Sequence, residues 1–332
     1  MPSRSGARDL RIHLLNSPDI SAYWFHPLRL RERTEAALKR RRHVTVTVGH
    51  DPAAVSPDMR RAHVLVGFQL PTDEIGALRE LRWIHLVSAG VDHLLPLTWL
   101  PPRVTLTNSS GVHSELAGQY AAGALLMLNF RMPAHATNQQ RGRWDQRFNT
   151  PVGGKTVVVV GLGAIGGEAA RQAKRLGLRV IGVRLSRRRH PHVDEVFGPE
   201  DLPRVLPEAD FVVVTAPLTP ATRHLLGAKE LDLLKPQAGL VNMSRAGLVD
   251  YEALARKLEA GELAGAIIDV CDPEPHPPDS PLWRTKNLLI TPHISSDPVD
   301  YVERMTRIFL DNLVRLVARR PLANRVVPAR GY

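Results

Sequence analysis

The stretch from Lys155 to Gly177 constrains the fold more tightly than any other part of the chain. Four consecutive valines, Val157 to Val160, read as a strand buried on both faces. Gly161, Gly163 and Gly166 follow at the G-x-G-x-x-G spacing. Glu168 to Leu176 then reads as a helix, and Gly177 suits its C-terminal cap. A second apolar strand, Leu178 to Val183, completes a strand–turn–helix–strand unit. In such a unit Gly161 allows the sharp turn, Gly163 lets a pyrophosphate approach the backbone, and Gly166 lets helix and strand pack closely. The phosphates rest on unpaired amides at the helix N-terminus, where the helix dipole favours negative charge. The alternative is a glycine-rich turn in an ordinary α/β domain; the flanking strands favour dinucleotide binding.

The position after the second strand bears on which dinucleotide. An NAD-preferring site usually carries Asp or Glu there, bonded to the ribose 2′-hydroxyl. This chain has Arg184, followed by Ser186, Arg187, Arg188 and Arg189. Guanidinium groups grip a phosphate with forked, charge-assisted bonds, whereas a carboxylate repels it. The expectation is NADP(H) as preferred cofactor, with NAD(H) also possible; the alternative is a solvated basic loop.

The rest of the chain reads as α/β as well. In the first hundred residues, strands are expected at Leu10–Leu15, Val44–Val48, His63–Phe68 and Arg82–Val87, with helices at Arg29–Arg41 and Thr72–Leu81. Alternating strands and helices imply a parallel sheet covered on both faces. No glycine fingerprint occurs there. Ser88-Ala89-Gly90-Val91-Asp92 follows a strand, so small residues leave amides exposed at a sheet edge. That is an anion cradle for a small carboxylate or a simple turn. Val104–Asn108 reads as a short strand and His113–Phe130 as a long helix. Arg131 to Thr150, polar and basic around Trp144, reads as an arm against a second subunit or a solvated loop. Further strands are expected at Phe211–Thr215, Gly239–Met243, Ala264–Val270 and Leu288–Thr291. Helices are expected at Tyr251–Ala260, ended by Gly261, and at Tyr301–Ala318.

A length of 332 residues suffices for two domains. The single cysteine, Cys271, excludes an intrachain disulfide and a cysteine cluster for zinc. The polar start Met1–Gly6 lacks an apolar signal core, and no apolar run approaches the roughly 18 residues that span a bilayer. A cytoplasmic protein with no membrane partner and no metal is expected. Net charge of +11 raises nucleic acid as a partner, with dense runs at Arg40–Arg42 and Arg187–Arg189. Aromatic content is only 5%, which gives no stacking platform, and no nucleic-acid motif occurs. The charge is better matched to steering anionic small molecules.

Arg245, Glu274 and His293 each follow one of the later strands. C-terminal strand ends gather along one edge of a parallel sheet, so these side chains can converge. Arg245 can hold a carboxylate and polarise the adjacent ketone through paired N–H bonds. His293 can give a proton to the ketone oxygen as hydride arrives. Glu274 can bond the other ring nitrogen and stabilise the imidazolium. Taken singly, each also reads as a surface arginine, a loop carboxylate or a strand-end histidine.

Together the motifs resemble the D-isomer-specific 2-hydroxyacid dehydrogenases. The resemblance rests on Ser88-Ala-Gly-Val-Asp92, the Gly161 loop, Thr215-Ala-Pro-Leu-Thr219, Arg245 with Asp250, and Asp269-Val with Glu274-Pro275. It continues through Pro281-Leu-Trp283, Thr291-Pro-His293 and the tail from Asn312. It implies two doubly wound parallel-sheet domains, Rossmann-like and flavodoxin-like, with an active-site cleft between them. The flavodoxin-like substrate domain would comprise residues 1–108 and 296–332, and the dinucleotide domain 109–295. Arg245, Glu274 and His293 would be catalytic. Ser88, Ala89 and Gly90, with Arg245, would take the substrate carboxylate. Gly161, Gly163, Ala164, Ile165 and Gly166 would hold the pyrophosphate, and Arg184, Ser186 and Arg187 the adenosine end. Ala216, Pro217, Thr222, Met243, Ser244 and Ser295 would line the cofactor, with Asp269 on the nicotinamide carboxamide. Members are usually homodimers. Arg184 is similar to the NADPH-using glyoxylate/hydroxypyruvate reductase branch, whereas Ser295-Ser296 stands where many members have glycine. Glu274 separates the chain from formate dehydrogenases, which have Gln there. Other readings of the same motifs are a dinucleotide-sensing, corepressor-like binding protein and a dehydrogenase for phosphite or a phosphorylated hydroxy acid.

Overall fold

Short β-branched runs alternate with helices along the chain, and each run becomes a parallel strand. A computed structural model describes residues 9–16, 26–39 and 43–328. The basic run at 40–42 and the first six residues lie outside the described residues. Contacts divide the chain into Met1–Val112 with Pro298–Tyr332, and His113–Asp297.

The first unit holds β1 (Leu10–Leu15), α1 (Pro27–Ala37), β2 (Val44–Gly49), α2 (Pro57–Arg60), β3 (Val64–Gly67), β4 (Trp83–Leu86) and β5 (Thr105–Thr107). Its strands run parallel in the order β2-β1-β3-β4-β5, the flavodoxin-like winding. Two elements differ from expectation. Helix α1 stops at Ala37 because Lys39 turns left-handed, at φ 51°. Residues Thr72–Ala77 form a 3₁₀ segment rather than a helix to 81. Gly76 inside it weakens an α-helix by about 1 kcal/mol.

The second unit begins with α3 (Ser114–Asn129) and α4 (Met132–Gln140). Then come β6 (Thr156–Val160), α5 (Ala164–Arg175), β7 (Arg179–Val183), β8 (Glu195–Phe197), α6 (Leu202–Val205) and β9 (Phe211–Val214). It closes with α7 (Ala228–Asp232), β10 (Gly239–Asn242), α8 (Tyr251–Ala260), β11 (Gly265–Ile268) and β12 (Leu288–Ile290). The strand order β12-β11-β10-β9-β6-β7-β8 is all parallel and reverses beside β6, a Rossmann winding with one added edge strand. The valine run behaves as its composition demands. Val158 and Val160 enter one core cluster, Val157 and Val159 the cluster on the opposite face. Helix α4 occupies ground expected to be loop. Arg131, at φ 54°, breaks it from α3, and Pro133 sits in its first turn. Helix α5 starts four residues before its expected first residue, Glu168, and so takes in Gly166 and Gly167. Gly261 caps α8 at φ 77°, and the Asp250 side chain accepts from Ala253 N at its other end.

The final helix, α9 (Tyr301–Val317), returns to the first unit. Tyr301, Met305, Phe309 and Leu313 share a buried cluster with Ile12, Leu14, Val64 and Trp83. Phe309 stacks on Trp83 at 5.0 Å. Beyond the helix, Val326 N donates to Leu106 O and Asn108 N to Asn324 O.

Candidate active site

The turn from β6 into α5 is shaped by what its glycines leave out. Gly161 has φ 96°, and a Cβ there would lie 2.5 Å from Ala216 N. A Cβ on Gly166 would fall 1.8 Å from Gly161 O and 2.5 Å from Thr215 Oγ1. At Gly163 the direction is open, with nothing within 4 Å. No side chain caps α5, so its first amides face that open ground. Thr215 Oγ1 donates to Gly161 O at 2.6 Å and fixes the turn. A backbone packed tightly on two sides and open on the third fits a pyrophosphate at a helix N-terminus. Ala164 and Ile165 form the first turn of α5.

At the end of β7, Arg184 is half-buried, and no acidic partner is found for it among the described residues. Ser186 is exposed. Arg187 differs from expectation. Its backbone is left-handed at φ 45°, and its guanidinium is bonded to Glu200 and, at 3.1 Å, to Asp201. Across the sheet, Ser244 Oγ donates to Ala216 O at 2.6 Å, and Met243 is buried in the core. Thr222 closes its own turn, donating to Pro217 O at 2.7 Å and accepting from Thr219 N. It is a turn-builder here.

Arg245 and His293 stand just past the ends of β10 and β12, and Glu274 six residues past β11. The His293 Nδ1–H donates to Glu274 Oε2 at 2.8 Å, and Cys271 N donates to Glu274 Oε1 at 2.8 Å. A carboxylate only accepts, so Nδ1 carries hydrogen and Nε2 is left for proton exchange. Burial alone would raise the Glu274 carboxyl. The hydrogen bonds from His293 and Cys271, with the His293 and Arg245 charges, hold it below the ordinary range. The Arg245 charge therefore acts in the same neighbourhood as the His293–Glu274 pair. Asn242, fully buried, fixes the Arg245 turn: its Nδ2 donates to Arg245 O at 3.0 Å and to Tyr251 Oη at 2.9 Å. Tyr251 in turn donates to Val270 O at 2.8 Å, tying that turn to the segment leading to Glu274.

His293 is itself left-handed, at φ 55°, a conformation uncommon for a residue with a Cβ. Asp269 sustains it. Its backbone carbonyl accepts from His293 N at 2.8 Å. Its carboxylate accepts from Ile294 N and Ser295 N, each at 2.9 Å, and from Thr291 Oγ1. Asp269 is 1% exposed. These bonds make it the builder of the histidine loop and leave room on its carboxylate for one further donor. Ser295 is likewise buried, and its hydroxyl has no partner among the described residues. Two further residues reach this loop and were not singled out from sequence. The Tyr120 hydroxyl lies 2.7 Å from Thr291 Oγ1, and His113 Nδ1 lies 2.6 Å from Ser296 O. Burial pushes the Tyr120 phenol up to about 12.

Ser88, Ala89 and Gly90 belong to the first unit. Ser88 Oγ donates to Gly90 O at 2.7 Å, and Asn108 Nδ2 donates to Ala89 O at 2.6 Å. Among the described residues the Ala89 and Gly90 N–H groups donate to no backbone carbonyl. Fixed carbonyls with unengaged amides make a usable anion cradle. No cluster of metal-ligating side chains and no helix long and apolar enough to cross a membrane occurs among the described residues.

Residues 122–295 match a model of the family described as D-isomer specific 2-hydroxyacid dehydrogenase, NAD binding domain. The chain is 34% identical over 247 residues to a glyoxylate reductase of Korarchaeum cryptofilum, which covers 72% of this chain and 74% of the relative. It is similar to the solved D-isomer specific 2-hydroxyacid dehydrogenase of Xanthobacter autotrophicus Py2 in complex with NADPH and MES. That match has a TM-score of 0.81, 28% identity, and coverage of 97% of this chain and 99% of the other. It is also similar to the NADPH-dependent glyoxylate/hydroxypyruvate reductase of Sinorhizobium meliloti, solved with NADP and sulfate. The TM-score there is 0.76, with 26% identity over 97% of this chain and 100% of the other.

Proposed function

The chain belongs to the D-isomer specific 2-hydroxyacid dehydrogenase family, and from that premise we propose that it reduces a small 2-keto acid to the D-2-hydroxy acid, with NADPH preferred over NADH. The observation that carries the reading is the His293 Nδ1–H···Glu274 bond of 2.8 Å, which leaves Nε2 to work. When bound, the dihydronicotinamide supplies hydride to the ketone carbon. The chain's residues do the remainder. Arg245 grips the substrate carboxylate and polarises the ketone. His293 Nε2 gives its proton to the ketone oxygen while Glu274, held as a carboxylate, steadies the imidazolium. The first unit serves as the substrate domain, with the Ala89 and Gly90 amides as its cradle for a small carboxylate. The second unit holds the dinucleotide on the Gly161–Gly166 turn.

Arg184 supports the preference for NADPH, since a guanidinium stands where an acid would repel a 2′-phosphate. The NADPH-dependent relative from Sinorhizobium meliloti points the same way. Keto acids of the glyoxylate and hydroxypyruvate size fit the named activities of the relatives. We also propose a homodimer. Trp144 and Phe148 are 93% and 92% exposed on the segment after α4, and a second copy would cover them. Light scattering tests that; a monomer at micromolar concentration refutes it. The deciding experiment for function is an initial-rate panel. Glyoxylate, hydroxypyruvate, pyruvate and phenylpyruvate are each tested with NADPH and with NADH. Turnover of at least one acid, faster with NADPH, is expected. No turnover with any acid would sink the enzyme reading, and equal or faster rates with NADH would sink the reading of Arg184.

A further inference from the structure

We propose that helix α3 clamps both ends of the His293 loop through His113 and Tyr120, and that these two side chains position the proton donor. The kinetic part of this inference rests on the function proposed above; the clamp itself does not. His113 stands at the N-cap position of α3 and Tyr120 lies seven residues on, so both project from one face of the helix. Tyr120 reaches Thr291 Oγ1 at 2.7 Å, before His293; His113 reaches Ser296 O at 2.6 Å, after it. Only residues 292–295 lie between those two anchors.

The donors are fixed by chemistry. Thr291 has one hydroxyl proton and directs it to Asp269, so Tyr120 must donate to Thr291. A carbonyl only accepts, so His113 Nδ1 carries hydrogen toward Ser296 O. The loop is thereby held along its length: Thr291 to Tyr120, the Ile294 and Ser295 amides to Asp269, and Ser296 to His113. Such over-determination is what a left-handed His293 requires.

The helix that supplies the anchors is itself fixed. Gly118 lies so close against Glu168 of α5 that a Cβ would come within 2.4 Å of its side chain. Leu128 packs on Gly239 at the start of β10, where a Cβ would meet it at 2.9 Å. Helix α3 is therefore seated on the same sheet whose strand ends carry Arg245 and His293. Burial keeps the His113 imidazole below the ordinary histidine range. The Ser296 carbonyl and Asp297 oppose that effect, and the His293 and Arg245 charges reinforce it. The clamp thus operates without adding a positive charge beside Arg245. Both residues act through the loop backbone, so they are positioning residues.

The test uses the full chain with His113→Leu, His113→Asn and Tyr120→Phe. Amide hydrogen exchange at Ile294 and Ser295 is read on cofactor-free protein, and kcat and KM are read with NADPH and the best keto acid of the panel. His113→Leu and Tyr120→Phe should speed exchange at those two amides about tenfold or more. They should lower kcat by about 10- to 100-fold while KM moves less than about threefold, since a small misplacement of the donor is costly. His113→Asn places a donor near the Nδ1 position and should restore kcat to within about fivefold of the parent. Unchanged exchange in both donor-deleting variants would overturn the clamp. Faster exchange with unaltered kcat, or an Asn variant as slow as the Leu variant, would overturn the positioning role. Should His113→Leu not fold, Tyr120→Phe, which removes one oxygen, carries the test alone. If the parent itself turns over no keto acid, the proposed function fails and the exchange result still decides the clamp.

Discussion

Two histidines, one in each unit, show how placement along a parallel strand decides what an imidazole can do. His85 lies inside β4 and is fully buried. Ser109 has one hydroxyl proton and gives it to Leu86 O, so the hydrogen of the neutral His85 ring is on Nε2. Its Nδ1 accepts from Thr107 Oγ1 at 2.9 Å, while Thr107 accepts from Trp83 Nε1 at 2.8 Å. His85 Nε2–H then donates to Ser109 Oγ at 3.3 Å, and Ser109 donates to Leu86 O. Every polar atom has its partner, and burial drives the pKa down to about 3. His293 sits just beyond β12, with a side chain 42% exposed and one nitrogen tied to Glu274. Mid-strand, an imidazole is a neutral spacer; past the strand end, it can exchange a proton.

The largest expected effect separates the two directly. His293→Ala should cut kcat by about 10²–10⁴ while NADPH still binds and the melting temperature holds. His85→Ala should do the reverse, costing roughly 2–5 kcal/mol of stability with turnover per folded molecule retained. Turnover lost in the His85 variant without loss of stability would break the contrast.

Acid should reveal the buried histidine next. A folded pKa depressed from 6.5 to about 3 means that the unfolded chain binds the extra proton. Its stabilising contribution is complete above pH 6.5 and is lost as pH falls toward 3, at about 1.4 kcal/mol per pH unit. Urea titrations at several pH values should show that slope in wild type and a flatter one in His85→Gln. Equal slopes would assign the acid sensitivity elsewhere.

Glu274→Gln should lower reductive kcat by about 10- to 100-fold at neutral pH, because the imidazolium loses its counter-charge. The native carboxyl is held below its ordinary range, so in wild type the partner persists as pH falls and fails only below that range. In the Gln variant the pH above which reduction declines should move downward; an unmoved profile would remove Glu274 from the mechanism. The smallest effect sharpens the reading of the basic loop. Arg184→Ala should lower the NADPH-to-NADH ratio of kcat/KM by about tenfold. Arg187→Ala should change it by less than about threefold, since Glu200 and Asp201 already hold that guanidinium.

What sequence made legible was whatever one element determines alone. The valine run, the glycines of the β6–α5 turn and the Asp250 and Gly261 caps are local signals, and the structure realises them locally. Helix α4 is not legible because its polar sequence has no apolar stripe, and β8 because one exposed and two half-buried residues make no pattern. Within the candidate site, the strand-end positions of Arg245 and His293 followed from the alternation of elements. The partners did not. The bonds Asp269 makes to its own loop depend on the backbone course of residues 291–295, as does the reach of Tyr120 and His113. The Arg187 guanidinium pairs with Glu200 and Asp201, thirteen and fourteen residues on, a contact that no local pattern announces.

The return of α9 to the first unit has a consequence for how the protein is made. On the ribosome β1 to β5 emerge early, yet Phe309, which stacks on Trp83, and Val326, which bonds to Leu106, follow only after the whole second unit. The intervening Rossmann unit is complete before they appear. The nascent amino-terminal sheet must therefore wait, with its α9-facing side uncovered, while its successor folds, and apolar surface left open in that interval is prone to aggregate.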